Sequence, residues 1–101
     1  MCGIAGFNWR DECLIQRMTE SLVHRGPDDE GTYVDDQVSL GHRRLSILDL
    51  SEKGRQPMRY GCEGRQAIVT FNGEIYNFQE VRRRIEANGY RFNTGTDTEV
   101  I

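Results

Sequence analysis

The sequence has little of what several common classes of protein require. Its three cysteines, Cys2, Cys13 and Cys62, are odd in number and widely spaced, so they support neither a disulfide framework nor a zinc site. Free thiols favour a reducing compartment, and we expect a cytoplasmic protein. No apolar run approaches the roughly 20 residues that cross a bilayer, and the N-terminus lacks the basic and apolar regions of a signal peptide.

Lysine is almost absent. Of the 13 basic residues only Lys53 is a lysine, and 16 acidic residues bring the formal charge to -3. This balance gives no electrostatic reason to expect a nucleic acid or an anionic membrane as a partner. The bias towards arginine suits forked recognition of carboxylates, although most of these side chains must be solvated surface.

The first part of the chain shows the patterns of a strand, a helix and a hairpin. Gly3 to Trp9 is short, apolar and punctuated by glycine, which predicts a buried strand. Apolar residues at helical spacing follow Asp11, which can cap a helix that Gly26-Pro27 would end. Residues 33–40, interrupted by Asp35-Asp36, are typical of a hairpin.

The second part alternates loop, strand and helix. Residues 51–56 are polar and predict a loop. Gln66 to Phe71 predicts a strand that runs into Asn72-Gly73, the dipeptide that most favours a tight turn because both positions tolerate positive φ. Asn77, with a glutamate three positions later, resembles a capping box, and Gly89 stands where that helix would stop.

The C-terminus carries another helix-start pattern. Thr96 and Glu99 have the spacing of a capping box, yet the chain stops at Ile101, before one full turn could be stabilised. We expect a helix interrupted by the end of the chain, with a frayed tail as the alternative. The elements as a whole alternate as in a mixed sheet with helices packed on it.

Cys2 is the first candidate for chemistry. Removal of Met1, which is expected when the next residue is small, would leave one residue with both a thiol and a free α-amino group. Such an amine can accept the thiol proton at neutral pH, so the nucleophile carries its own base. The alternative interpretation is a small buried residue beside an apolar strand.

Acyl transfer from an amide also needs donors aimed at the developing oxyanion. The Asn72-Gly73 pair offers a side-chain amide next to an unencumbered backbone N–H, and Glu74 places a carboxylate beside them. An ordinary hairpin turn is the alternative for this pair.

A free amino acid as substrate presents a carboxylate and an ammonium group. Arg43 and Arg44 precede the apolar segment 45–48 and could supply a fork for the carboxylate, while Glu74 and Asp97 could bind the ammonium. His24 and His42 each precede an arginine without forming a recognisable triad, and we interpret both as structural.

Six ordered blocks along the whole chain resemble the class II glutamine amidotransferase domain of glutamine-hydrolysing asparagine synthetases. They are Met-Cys-Gly-Ile-Ala-Gly at 1–6, His-Arg-Gly-Pro-Asp at 24–28, His-Arg-Arg-Leu-Ser-Ile at 42–47, Gln-Pro-Met at 56–58, Asn-Gly-Glu-Ile-Tyr-Asn at 72–77 and Thr-Gly-Thr-Asp-Thr-Glu-Val-Ile at 94–101. Phosphoribosyl and hexosamine amidotransferases usually carry an aromatic residue where Leu45 stands, so the synthetase branch is favoured.

The resemblance implies an α+β fold, the N-terminal nucleophile hydrolase αββα sandwich of antiparallel sheets, present only in part. Residues 1–101 would be the N-terminal part of a type 2 glutamine amidotransferase domain, because the family's domains run to nearly twice this length, and the synthetase domain would be absent. We therefore expect uncovered apolar faces and sheet edges, and a fragment that does not form a stable and fully active enzyme alone.

The resemblance also implies a role for each matching residue. Cys2 would be the nucleophile with its own amine as the base, and Asn72 and Gly73 would donate to the oxyanion. Arg44 would bind the glutamine carboxylate, and Glu74 and Asp97 its amino group. The remaining pocket residues would line the site with their backbone: Leu45, Ser46, Ile47 and Leu48. Arg43 falls at a position that varies in the family and is left out.

The implied reaction is hydrolysis of L-glutamine to glutamate and ammonia through a γ-glutamyl thioester. This segment would need no cofactor or metal, since ATP and magnesium belong to the missing C-terminal synthetase domain, which amidates aspartate. A homodimer is expected at full length. The alternatives are a non-catalytic fragment that binds glutamine or a partner, a small structural module, and an enzyme of the same branch with another ammonia acceptor.

Overall fold

The computed structural model describes every residue from Met1 to Ile101 and has an α+β architecture. Two short 3₁₀ turns, Glu52–Gly54 and Thr98–Val100, accompany five strands and two helices. In chain order these are β1 (Gly3–Phe7), α1 (Glu12–Ser21), β2 (Asp29–Val34), β3 (Ser39–Arg44), β4 (Met58–Cys62), β5 (Arg65–Val69) and α2 (Phe78–Ala87). The predicted α+β class is confirmed, and the antiparallel sheets are consistent with part of the implied sandwich.

The larger sheet has three antiparallel strands in the order β1-β3-β2. The predicted hairpin is confirmed, with Val34 opposite Ser39 at its turn. On the other side of β3, Gly3 lies opposite Arg43. This register brings the N-terminus of the chain beside the end of β3, and so positions Cys2 next to Leu45.

Helix α1 packs on this sheet. The Asp11 side chain caps it as predicted, accepting a hydrogen bond of 2.8 Å from the Leu14 N–H. Ile15, 1% exposed, is the only buried hydrophobic residue of the core, and Thr19 is buried beside it. The helix approaches Gly41 so closely that a Cβ there would lie 2.0 Å from the Thr19 hydroxyl oxygen. Close backbone contact therefore replaces bulky side chains between helix and sheet.

Strands β4 and β5 form a separate two-stranded sheet, and its turn corrects one prediction. The tight turn lies at Glu63-Gly64, where φ is 51° and 76°. Strand β5 ends at Val69, before Phe71, and neither Asn72 nor Gly73 has a positive φ. Tertiary hydrogen bonds hold the preceding residue, Phe71, and override the preference of Asn-Gly for a tight turn.

The two predicted capping boxes are wrong, although a helix begins after Asn77 and a 3₁₀ turn forms near Thr96. Asn77 is the N-cap of α2, but its side chain makes no capping hydrogen bond, and Glu80 accepts from Arg84 at 2.6 Å rather than from the Asn77 N–H. Glu99 likewise accepts from the backbone N–H groups of Asn93 and Thr94, each at 2.7 Å. Only a 3₁₀ turn forms at 98–100. The predicted stop of α2 is confirmed by the positive φ of Gly89.

Apolar side chains remain at the surface over much of the chain. Tyr76 is 92% exposed and Leu50 is 78% exposed, and α2 has no buried residue. The predicted loop at 51–56 contains the 3₁₀ turn and ends in the buried Gln56. Neither helix combines the length and apolar character of a membrane span.

Candidate active site

A cavity of about 350 Å³ opens between the end of the larger sheet and three loop segments. Its volume is typical of small-molecule sites. Of the ten residues predicted for the site, all but Ser46 line it: Cys2, Arg44, Leu45, Ile47, Leu48, Asn72, Gly73, Glu74 and Asp97. Ser46 instead faces Asp28, whose carboxylate accepts a 2.7 Å hydrogen bond from the Ser46 N–H.

The Cys2 thiol lies in the wall of this cavity and is half-buried. Its sulfur accepts from the Leu45 N–H at 3.3 Å and lies 3.8 Å from the Leu45 carbonyl oxygen. The Arg25 side chain donates to the Cys2 carbonyl at 3.1 Å and so anchors the first residues. Met1 also lines the cavity and is 70% exposed, which leaves it accessible for removal.

The Arg44 guanidinium is buried and fastens the loop that follows β3. It donates through Nη1 to the Ser51 carbonyl at 2.8 Å, and through Nη2 to the carbonyls of Leu48 and Asp49. Because Nη2 is engaged twice, Arg44 presents single N–H groups to the cavity rather than an open fork. A Cβ at Gly54 would lie 2.3 Å from Nη2, so this guanidinium position requires glycine there.

The segment carrying Asn72 and Gly73 crosses the cavity wall between two fixed points. At its start, the Phe71 N–H donates to the Gln56 side chain at 2.6 Å. At its end, the Ile75 N–H donates to the Asp97 carboxylate at 2.8 Å. A Cβ at Gly73 would meet the Phe71 ring at 2.7 Å. Glycine at this position thus allows the close approach that the loop needs.

Charges of both signs face the cavity. Arg44 supplies the positive charge, and Glu74 and Asp97 supply two carboxylates. Asp97 is only 7% exposed and is held by the Ile75 N–H, whereas Glu74 is exposed. This arrangement is complementary to a small ligand with one carboxylate and one ammonium group.

Asp49 ties two of the cavity loops together. Its carboxylate accepts from the Ser51 hydroxyl at 2.5 Å and from the Gly95 N–H at 2.8 Å. These hydrogen bonds lower the pKa of Asp49 to about 2. Asp49 has a left-handed φ of 49°, which aspartate tolerates better than most residues. The loop around Leu48 is thereby held against the segment before Asp97.

The two histidines and Arg43 lie outside the cavity lining. His42 is 1% exposed, and its Nε2 lies 3.2 Å from the Phe71 carbonyl oxygen. Burial lowers the pKa of His42. His24 is exposed. Arg43 is buried, donating to the Gly26 carbonyl at 2.8 Å and to Glu30 at 2.5 Å.

Several residues that line the cavity were given no role in the site from the sequence: Gly54, Gln56, Phe71, Tyr76, Thr96 and Thr98. Gln56 stood within the Gln-Pro-Met block, which was a signal without a chemical interpretation. Tyr76, Thr96 and Thr98 likewise stood within the blocks at 72–77 and 94–101, whereas Gly54 and Phe71 offered no signal, because their place in the wall depends on how separate loops meet. No group of three or more His, Cys, Asp or Glu side chains is arranged to hold a metal ion.

Comparison with known proteins gives a consistent picture. Residues 1–101 match the family described as "Glutamine amidotransferase domain". The chain is 48% identical to asparagine synthetase [glutamine-hydrolyzing] 1 and 39% identical to asparagine synthetase [glutamine-hydrolyzing] 3, both of Bacillus subtilis. It is also 39% identical to asparagine synthetase [glutamine-hydrolyzing] 1 of Arabidopsis thaliana.

All of this chain is covered in each of these comparisons. It spans 17% of the length of each Bacillus subtilis protein and 18% of the Arabidopsis protein. The match to the family extends over every residue described above, including each element of the cavity wall. The chain therefore belongs to the glutamine amidotransferase domain family.

Proposed function

We propose that this chain hydrolyses L-glutamine to glutamate and ammonia, with Cys2 as the nucleophile. One observation carries the proposal: the Cys2 thiol shares a single cavity with the Asn72-Gly73 segment and with the charged residues Arg44, Glu74 and Asp97. One space is thus surrounded by a nucleophile, by hydrogen-bond donors for an amide oxygen, and by charged groups that can bind the carboxylate and the ammonium group of an amino acid. Membership of the glutamine amidotransferase domain family supports the same reaction.

The proposed reaction begins when Met1 is removed and the α-amine of Cys2 takes the thiol proton. The thiolate attacks the side-chain carbonyl carbon of glutamine, and the oxygen gains the negative charge. Asn72 and Gly73 donate hydrogen bonds to that oxyanion. As the intermediate collapses, the amine returns its proton to the leaving nitrogen, and ammonia departs.

A γ-glutamyl thioester on Cys2 then remains. Water attacks its carbonyl carbon, with the same amine accepting a proton from the water, and the C–S bond breaks. Glutamate and the free thiol are the products. Arg44 would bind the α-carboxylate of the substrate, while Glu74 and Asp97 would bind its ammonium group. The backbone of residues 45–48 would complete the wall.

We further propose that residues 1–101 are the N-terminal part of the amidotransferase domain of an asparagine synthetase. The names of the relatives and the share of their length that this chain spans support this proposal. ATP and magnesium would act with a separate synthetase domain, where ammonia would amidate aspartate. A cytoplasmic location and a homodimer are further proposals; three free cysteines support the first.

Replacing the nucleophile tests the proposed reaction. We expect Cys2→Ser, measured in the natural polypeptide that contains these residues, to lower the rate of glutamate release by about 10⁴-fold or more. Serine is also small, so the removal of Met1 should be preserved. The exposed Cys13 offers a matched control, since Cys13→Ser should release glutamate at the parental rate. Equal activity of Cys2→Ser and the parent would refute the proposal.

A further inference from the structure

The peptide groups on both sides of Phe71 are fixed by buried side chains from other parts of the chain. The Phe71 N–H donates to the Gln56 side-chain oxygen at 2.6 Å. The Phe71 carbonyl lies 3.2 Å from the His42 Nε2. Gln56 is 7% exposed and His42 is 1% exposed. The two side chains that make these contacts are therefore shielded from water, while Phe71 itself is half-buried.

The carbonyl of Phe71 and the N–H of Asn72 belong to one planar peptide unit. Holding that carbonyl consequently sets the direction in which Asn72 leaves the unit. At the far end of the segment, the Ile75 N–H is held by Asp97 at 2.8 Å, in the same peptide unit as the Glu74 carbonyl. The peptide groups at both ends of residues 72–74, Phe71–Asn72 and Glu74–Ile75, are thus held in fixed orientations.

Gln56 joins the two supports of this segment. Its amide oxygen accepts from Phe71, and its amide nitrogen donates to the Thr98 hydroxyl at 3.2 Å. Thr98 directly follows Asp97, which holds Ile75. Gln56 also borders the cavity, but its amide oxygen and nitrogen are both engaged by the protein. Within the chain, the side-chain hydrogen bonds of Gln56 therefore support the loop at Phe71 and the residue after Asp97.

The tautomer of His42 follows from its surroundings. A carbonyl oxygen only accepts hydrogen bonds, so Nε2 must carry the proton that the Phe71 carbonyl receives. The other ring nitrogen, Nδ1, is buried without a hydrogen-bond partner. The polar function of this buried ring is thus directed entirely to Phe71.

We propose that Gln56 and His42 are positioning residues that hold Asn72 and Gly73 where they donate to the oxyanion. This inference rests on the proposed glutamine hydrolysis. An oxyanion donor acts only when it lies about 2.7–3.1 Å from the oxygen that becomes charged. Loosening the Phe71 peptide groups would move those donors away without removing the groups that bind the ends of glutamine.

The test compares variants that lose the two hydrogen bonds with one that keeps a donor. Gln56→Met and His42→Leu lack the polar atoms that reach Phe71. His42→Gln places an amide N–H near the position of Nε2. Gln79→Met, at an exposed position of α2, is the matched control. For each variant of the natural polypeptide, kcat and KM for glutamine hydrolysis and the inhibition constant of glutamate are measured.

We expect Gln56→Met and His42→Leu to lower kcat by about 100-fold, the size of effect seen when one oxyanion donor is lost. The inhibition constant of glutamate, which binds without forming an oxyanion, should rise far less than kcat falls, because Arg44 is held separately by loop carbonyls. His42→Gln should recover most of the lost kcat, and Gln79→Met should match the parent. Retained reaction of Cys2 with iodoacetamide would show that the nucleophile itself is intact in each variant.

If the parent hydrolyses glutamine, two results would refute the positioning role of Gln56 and His42 and leave the proposed function intact. One is an unchanged kcat in both Gln56→Met and His42→Leu. The other is a parallel loss of kcat and of glutamate binding that His42→Gln does not relieve, since that pattern indicates a general role in folding. Absence of glutamine hydrolysis by the parent would instead refute the proposed function, and the inference with it.

Discussion

The interface between α1 and the larger sheet differs from the walls of the cavity in how it is held together. Ile15 and Thr19 pack against the backbone of Gly41, and a single apolar side chain forms the centre of that interface. Around the cavity the buried side chains are polar, as at Gln56 and Asp97, and each makes a hydrogen bond to a loop.

The two regions therefore contribute to different properties, the α1 interface to stability and the cavity walls to the geometry of the site. Apolar packing is not directional, so the α1 interface contributes mainly to the free energy of unfolding. Hydrogen bonds fix the direction of the groups they join, so the polar walls determine where the loops place their donors and charges. Substitutions in the first region should therefore change mainly stability, whereas substitutions in the second should lower activity by more than their effect on stability explains.

The largest effect on stability is expected at Ile15. We expect Ile15→Ala to lower the free energy of unfolding by about 2–5 kcal/mol, because it removes the one buried apolar side chain between helix and sheet and leaves a cavity. Urea unfolding of the protein measures this loss. Val23, 49% exposed, is the control, and Val23→Ala should change stability by less than about 0.5 kcal/mol. Similar losses of unfolding free energy in both variants would contradict the claim that packing at the α1 interface is the main source of stability.

The next largest effect is expected on catalysis at Asn72. We expect Asn72→Ala to lower kcat for glutamine hydrolysis by about 100- to 1,000-fold, which corresponds to about 2.7–4 kcal/mol of transition-state stabilisation. The free energy of unfolding should change little. Steady-state kinetics and urea unfolding of the same sample distinguish the two quantities, with the exposed Asn8→Ala as the control. A stability loss without a loss of kcat would contradict the comparison.

The smallest effect concerns pH and His42. Burial lowers the pKa of His42 in the folded chain below 6.5, while the unfolded chain keeps the ordinary value. The unfolded state then binds more protons between these two values, so stability falls as pH decreases below about 6.5. The slope from this one group is at most about 1.4 kcal/mol per pH unit.

Urea unfolding at a series of pH values from about 7.5 to about 5 measures this slope. The variant His42→Gln should show a shallower dependence than the parent, because glutamine does not titrate. His24 is exposed, so His24→Gln should keep the parental slope. An identical pH dependence for His42→Gln and the parent would show that burial does not disfavour the charged form of His42.

Sequence patterns predicted the elements whose causes are local. Asp11 caps α1, and the hairpin between β2 and β3 turns where polar residues interrupt it. Predictions failed where a distant partner competes with the local preference. Asn72-Gly73 forms no tight turn because Gln56 and His42 hold the preceding residue, and Glu80 pairs with Arg84 instead of closing a capping box.

The features of the candidate site fall into the same two groups, those indicated by the sequence and those that depend on distant partners. The types of group that glutamine chemistry needs led to Cys2, Asn72 and Glu74, and the resemblance placed them in one site. The sequence could not show that Arg44 donates to three loop carbonyls, or that Gln56 reaches both Phe71 and Thr98. Those contacts join segments far apart in the chain, and no local pattern encodes their distances.

Whether Cys2 is an N-terminal nucleophile in a glutamine site is tested by the intact mass of the purified protein before and after reaction with a glutamine analogue that carries an electrophile. Cys2→Ala is treated in parallel. We expect the loss of Met1 and a single adduct in the parent that is absent from Cys2→Ala. Retention of Met1, or an adduct of equal amount on both proteins, would contradict the claim that Cys2 is an N-terminal nucleophile in a glutamine site.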